Sequence, residues 1–268
     1  MQLYSIKEPD VPLAPIVISV PHAGVAFPEG LKEKFDERLS LYLDDTDWYV
    51  DLLYDFAPKL GITVMKAHLS RWVIDLNRDY KNIPLYDDGR ITTAVVPTTD
   101  FFGNKLYKSP ELEPDQKEIE FRIQSYYNPY YDQLRTLLDE RKNQFNHVLL
   151  WDGHSIRHMV STIYKHGFPD MILGDNLEKT AHPKLIKTAL DSLNDSKYKI
   201  AHNKPFRGGH ITRNFGDPQN NIHTLQLEMN KILYMDDNEL TYNTIRAAGV
   251  KELLENTMIN IIQTLKEL

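Results

Sequence analysis

Seven short apolar runs punctuate the chain, and stretches of helical periodicity fill most of the intervals between them. The runs are Ile16 to Val20, Ile62 to Lys66, Trp72 to Leu76, Val148 to Trp151, Met171 to Leu173, Tyr198 to Ala201 and Thr224 to Glu228. Continuous rather than alternating apolar character marks strands covered on both faces, and helices between such strands supply the cover. The order predicts an α/β sandwich with a mixed, largely parallel sheet. Helices are expected from Thr46 to Leu60 with Gly61 as the stop, from Pro114 to Lys142, from His182 to Leu193 and from Glu239 to the end. In the second of these, Ile119, Ile123, Tyr126, Tyr130, Leu134 and Leu137 recur three and four residues apart. There is no internal repeat or low-complexity tract, and residues 1–268 are read as one domain.

In this architecture ligands gather at the carboxyl ends of the strands. Two histidines stand there. The first run leaves as Val20-Pro21-His22-Ala23-Gly24, and the fourth as Trp151-Asp152-Gly153-His154-Ser155, which places Asp152, His154 and Ser155 just past a buried strand. One strand-end histidine is usually a hydrogen-bonded turn residue. Two in equivalent places suggest a metal, and the chain has no cysteine, so His, Asp and Glu must supply every ligand. The carboxylate has several candidates in Asp44-Asp45-Thr46-Asp47, and spacing alone leaves them open. Thr46 can cap the following helix with Asp47 in its first turn, and Asp51 and Asp55 fit a solvated face.

The charge balance narrows the partners. A net charge of -7 without clustered Lys and Arg argues against nucleic acid and anionic membranes. No apolar run approaches the roughly 20 residues that span a bilayer. The N-terminus lacks a signal-peptide core, so a cytoplasmic protein is expected. Oligomeric state is not written in the sequence.

Three further stretches carry chemistry. Arg71 and the Asn77-Arg78 pair frame the run from Trp72 to Leu76, and guanidinium groups suit a substrate carboxylate. The loop around Arg207-Gly208-Gly209-His210 and Arg213 permits close backbone approach and offers cations to an anionic ligand. Glu228 ends an apolar strand, where a buried acid is costly unless paired or titrated, the setting of a general base near neutral pH. No phosphate-cradling glycine motif is present.

Taken in order, Pro-His-Ala-Gly, Asp-Thr-Asp, Ser-Arg-x-x-x-Asp-Leu-Asn-Arg-Asp, Asp-Gly-His-Ser, Arg-Gly-Gly-x-Ile-Thr and Gln-Leu-Glu-Met-Asn resemble the N-formylglutamate amidohydrolases of histidine degradation over nearly the whole chain. The resemblance implies a three-layer α/β/α sandwich of the zinc-exopeptidase kind, related to zinc carboxypeptidases and aspartoacylases. It implies His22, Asp47 and His154 as ligands to one Zn²⁺, with other divalent metals chemically acceptable. It makes Glu228 the water-activating base, Arg71 the group that polarises the scissile carbonyl, and Asn77-Arg78 the carboxylate-binding pair. Arg207, Gly209, His210 and Arg213 join them as substrate-binding candidates, and Asp152 is expected to orient a ligand histidine. One departure stands out: the related carboxypeptidases carry two ligands close together as His-x-x-Glu, and no acid follows His22 at that spacing.

The expected reaction is hydrolysis of N-formyl-L-glutamate to formate and L-glutamate. Three rivals stand beside it. They are a related zinc amidohydrolase acting on a different N-acyl amino acid or a short peptide, a non-catalytic binding module with a degenerate pocket, and a two-metal phosphoesterase recruiting His158, His166 or His210.

Overall fold

The computed structural model describes residues 1–86, 89 and 92–268. The strands are β1 (Tyr4–Lys7), β2 (Ile16–Val20), β3 (Thr63–Ala67), β4 (Val148–Ile156), β5 (Met171–Gly174), β6 (Ile200–His202) and β7 (Ile222–Asn230). They form one sheet in the order β1-β3-β2-β4-β7-β5-β6. The four central strands β3, β2, β4 and β7 run parallel, β1 is antiparallel to β3, and β5 is antiparallel to β7 while parallel to β6. The α-helices are α1 (Glu37–Tyr42), α2 (Val50–Leu53), α3 (Gln116–Arg122), α4 (Asn128–Lys142), α5 (Pro183–Asn194), α6 (His210–Phe215) and α7 (Thr244–Glu267).

Strand alternation divides the core in two. Ile16, Ile18, Leu149, Trp151, Leu225 and Leu227 face α2, α5 and α7. Val17, Val148 and Leu150 face α4 and Ile211 of α6. The result is the expected α/β/α layering around a mixed sheet. No helix among the described residues is long and apolar enough to cross a membrane.

Several boundaries differ from the sequence reading, each for a physical reason. The run from Trp72 to Leu76 is a buried turn: Val73 and Ile74 N–H groups donate to Ser70 O, and Arg71 reaches Asp75 four residues on, as only a coiled backbone allows. A strand of that length would hold those two side chains roughly 13 Å apart. The stretch from Thr46 to Leu60 yields only α2 and a 3₁₀ turn at Ala57–Leu60, because Pro58 sits inside it, while Gly61 ends it at φ +81° as expected. Asp47 therefore lies before a helix rather than in its first turn. Asp152, His154 and Ser155 lie inside β4, since β7 pairs with that strand along all nine residues. The helix expected over 114–142 is interrupted by a π-turn at Ile123–Tyr127, immediately before Asn128-Pro129. The short strand β1 was not legible, being polar and at the sheet edge.

Candidate active site

The parallel register of β4 and β7 sets His154 opposite Glu228 and Asp152 opposite Gln226. Alternation turns all four toward the same face, the one covered by α6 and the buried turn of residues 70–77. His22 follows β2 after Pro21, and its carbonyl accepts the Asp47 N–H at 3.0 Å. That one backbone bond fixes the acidic loop against the strand end.

Three donor atoms converge here. His154 Nδ1 lies 2.9 Å and His22 Nδ1 3.7 Å from the same oxygen, Asp47 Oδ2. Among the described residues His22, Asp47 and His154 are the group of three with ligand atoms all within 4.8 Å of one another, and all are buried. The neighbouring acids are committed elsewhere: Asp44 pairs with Arg157, and Asp45 accepts from Trp72 Nε1 at 3.1 Å. His22 Nδ1 is buried with no hydrogen-bond partner among the described residues, an arrangement costly for a plain hydrogen-bonding group and suited to a cation. Burial, with Arg71 adding to it, lowers the His22 pKa to about 4, so the ring is neutral as a metal ligand must be. For His154 burial opposes protonation, but the carboxylates of Asp152 and Asp47 outweigh it and hold the pKa well above the ordinary value.

The outer nitrogens are held by carboxylates, the pattern that orients metal-bound imidazoles. His22 Nε2 is 2.8 Å from Asp75 Oδ1, and His154 Nε2 lies 3.1 Å from Asp152 Oδ2. The Asp152 contact is an ion-pair distance with poor angles, leaving both its oxygens without a hydrogen-bond partner among the described residues. Asp75 is the hub that the sequence reading missed. Fully buried, it also accepts from the Asn77 N–H at 3.0 Å and from Arg71 Nη2 at 2.6 Å. Burial alone would raise its carboxyl; Arg71, Arg78 and His22 outweigh burial and hold it well below the usual range. Arg71 also stacks on Phe101 at 4.6 Å.

Gln226 is the second missed residue, although its place two before Glu228 on one strand puts both on one face. Its Oε1 accepts from Asn77 Nδ2 at 3.2 Å and from the Gly209 N–H at 2.7 Å, which turns its Nε2 toward Glu228 Oε2 at 3.4 Å. Asn77 is engaged at both ends, since its Oδ1 accepts from the Ile211 N–H at 2.9 Å and its Nδ2 lies 3.1 Å from His154 Nε2. Gly209 allows this approach: a Cβ there would meet Asn77 Nδ2 at 2.2 Å. Burial pushes the Glu228 carboxyl up to about 8, with Asp47 adding to it against His154 and Arg71.

These groups open onto a cleft. Its lining combines polar groups, among them His22, Arg71, Asn77, Arg78, Gln226 and Glu228, with the apolar Leu85, Phe101, Ile156, Ile163 and Phe206 and the Tyr86 ring. Arg78 donates to Thr93 O and Oγ1, each at 3.0 Å, and to Asn77 O at 3.2 Å, using three of its five N–H groups. Gly209 lines the cleft, but Arg207, His210 and Arg213 lie outside its lining. Arg213 donates to Leu85 O and Gly208 O and covers the Tyr86 ring at 5.3 Å, while the Arg207 N–H donates to the Tyr86 hydroxyl. His210 packs on Tyr131 at 6.0 Å, with Asp79 3.8 Å from its Nδ1. Sequence grouped these residues by their loop, while the direction of each side chain was set by partners distant in the chain.

The family pattern described as N-formylglutamate amidohydrolase matches residues 14–235, a span that contains every residue placed in this site. The chain belongs to the N-formylglutamate amidohydrolase family. A member named N-formylglutamate deformylase from Pseudomonas putida is 37% identical over 246 residues, covering 91% of each chain. One of the same name from Pseudomonas aeruginosa PAO1 is 35% identical over 251 residues, covering 91% of this chain and 92% of that one. The fold matches a crystal structure of N-formylglutamate amidohydrolase from Ralstonia eutropha JMP134 with a TM-score of 0.82 at 21% identity, covering 100% of this chain and 98% of that chain. The fold seen here thus spans both chains almost from end to end.

Proposed function

We propose that this protein hydrolyses the formamide bond of N-formyl-L-glutamate to formate and L-glutamate, with one zinc ion held by His22, Asp47 and His154. The observation that carries the reading is the convergence of three buried donor atoms beside a half-buried carboxylate, within a family whose relatives are named for this reaction. When bound, zinc supplies Lewis acidity and makes water acidic enough to deprotonate near neutral pH. Two neutral or neutralisable imidazoles and one carboxylate, with an approach left open from the cleft, fit such an ion.

The chain's own groups account for the rest. Glu228 takes a proton from the attacking water and returns it to the nitrogen of the departing amine, so one water adds across the C–N bond. A carboxylate raised toward neutrality is suited to both halves of that transfer. Arg71, anchored by Asp75, presents positive charge where the carbonyl oxygen becomes anionic, and the Phe101 face fixes its plane. Arg78 binds a substrate carboxylate with its remaining N–H groups. Asn77, with both amide ends committed, fixes the position of Arg78 and the tilt of the His154 ring.

Formate release from N-formyl-L-glutamate, measured beside acid release from the N-acetyl and N-succinyl analogues, tests the assignment. Highest kcat/KM on the formyl substrate is expected; a preference for a larger acyl group would move the protein to the rival amidohydrolase reading. The phosphoesterase reading needs a second metal set. Among the described residues His158 is occupied by Asn230, 2.7 Å away, and His210 lies outside the cleft lining.

A further inference from the structure

The charge around the cleft poses a problem for the substrate just proposed. The chain carries net charge -7, so a dianion meets an excess of negative charge on the molecule as a whole. A doubly charged anion approaching such a surface is repelled at long range unless positive potential is concentrated at the entrance.

A second pocket supplies that potential. It adjoins the cleft through Ile163, which lines both, and through the 205–207 segment, where Phe206 lines the cleft and Pro205 and Arg207 the second pocket. Its charged lining among the described residues consists of Lys165, Lys204 and Arg207 with the titratable His202, and includes no carboxylate. Lys165, Lys204 and Arg207 are exposed, and among the described residues none has a side-chain ion-pair partner. Asp175, the acid that His202 and Asn203 contact, is fully buried, with His202 Nε2 at 2.6 Å and Asn203 Nδ2 donating to it at 2.7 Å. Three cations without an ion-pair partner among the described residues thus line one concavity at the cleft's edge, on a molecule with an excess of acid.

We propose that this basic pocket is an anion-recruiting vestibule that captures dicarboxylates, the N-acylated acidic amino acids, before they enter the cleft. The proposal rests on the formylglutamate reading and extends it to how substrate charge is selected. The side-chain carboxylate and the α-carboxylate together make the ligand a dianion, so its attraction to the vestibule is about twice that of a monoanion of the same shape.

The test is steady-state kinetics of the intact metal-loaded enzyme and its Lys165→Glu/Lys204→Glu variant, with N-formyl-L-glutamate and the isosteric monoanion N-formyl-L-glutamine. Arg207 is left intact because it adjoins Phe206 in the cleft lining. At about 0.01 M ionic strength, charge reversal is expected to lower kcat/KM on the glutamate substrate on the order of tenfold and on the glutamine substrate about threefold. Both losses should reside in KM and fade at about 0.5 M salt, where the Debye length falls to roughly 4 Å. The Lys165→Gln/Lys204→Gln variant should fall between. Equal losses on the two substrates, losses that persist in high salt, or unchanged kcat/KM would overturn the vestibule. Failure of the wild-type enzyme to release formate from either substrate would overturn the reaction assignment, and the vestibule with it.

Discussion

At the scale of single residues the account turns on Asp75 and Glu228. Asp75 touches His22, Arg71 and the Asn77 backbone at once, so Asp75→Asn should weaken zinc affinity about 10- to 100-fold, the usual effect of losing the carboxylate behind a ligand histidine. A chelator competition titration reads this directly, and unchanged affinity would remove Asp75 from the metal's surroundings. Glu228→Gln should retain zinc and lower kcat roughly 100- to 10,000-fold. Metal content measured on the same sample separates a lost base from a lost metal. The two residues differed in legibility. Glu228 announced itself as an acid at the end of an apolar strand. Asp75 did not, because its role depends on a turn whose apolar residues Trp72, Val73 and Ile74 imitate a strand in sequence.

Among the elements, β4 and β7 hold most of the strand-borne groups of the candidate site, and the runs Val148 to Trp151 and Thr224 to Glu228 made both legible as strands. Asp152 to Ser155 were read as lying past the end of β4, and Gln226, inside the expected strand Thr224 to Glu228, was not singled out, because such side chains find their partners only across the sheet and beside α6. The stop at Gly61 followed from local chemistry, whereas the π-turn at Ile123–Tyr127 did not. That turn lets Tyr127 and Tyr131, stacked at 4.2 Å, donate to Arg78 O and Leu76 O at 2.9 and 2.7 Å, on either side of Asn77. Gly209, just before α6, shows how tightly the elements meet. Gly209→Ala should displace Asn77, destabilise the fold by about 1–3 kcal/mol and raise KM, because the added carbon has no free space. Chemical denaturation and kinetics on one preparation check it, and a variant matching wild type in both would show that the approach is looser than the structure draws it.

For the molecule as a whole, the site is a source of pH-dependent stability. In metal-stripped protein Glu228 has a folded pKa of about 8 against an ordinary 4.5, so between those values the folded state holds a proton that the unfolded state has released. Stability through this group is then present in full below pH 4.5 and lost as pH rises toward 8. Glu228→Gln removes that slope, so the variant's stability relative to wild type should rise across the window, read by urea denaturation at several pH values; a constant difference would contradict it. The layered architecture was legible because apolar runs and helical periods alternate, and a candidate His and carboxylate cluster because cysteine is absent and two histidines close apolar runs. That Asp47, and not Asp44 or Asp45, lies beside the two histidines is a property of the folded molecule, in which Asp44 pairs with Arg157 and Asp45 accepts from Trp72. The most direct test of the account is formate release from N-formyl-L-glutamate before metal removal, after it, and after zinc is returned, with wild type and His154→Ala side by side. The account predicts activity that vanishes with the metal and returns with one zinc per wild-type chain, and no recovery in the variant; undiminished formate release from metal-free protein would contradict it.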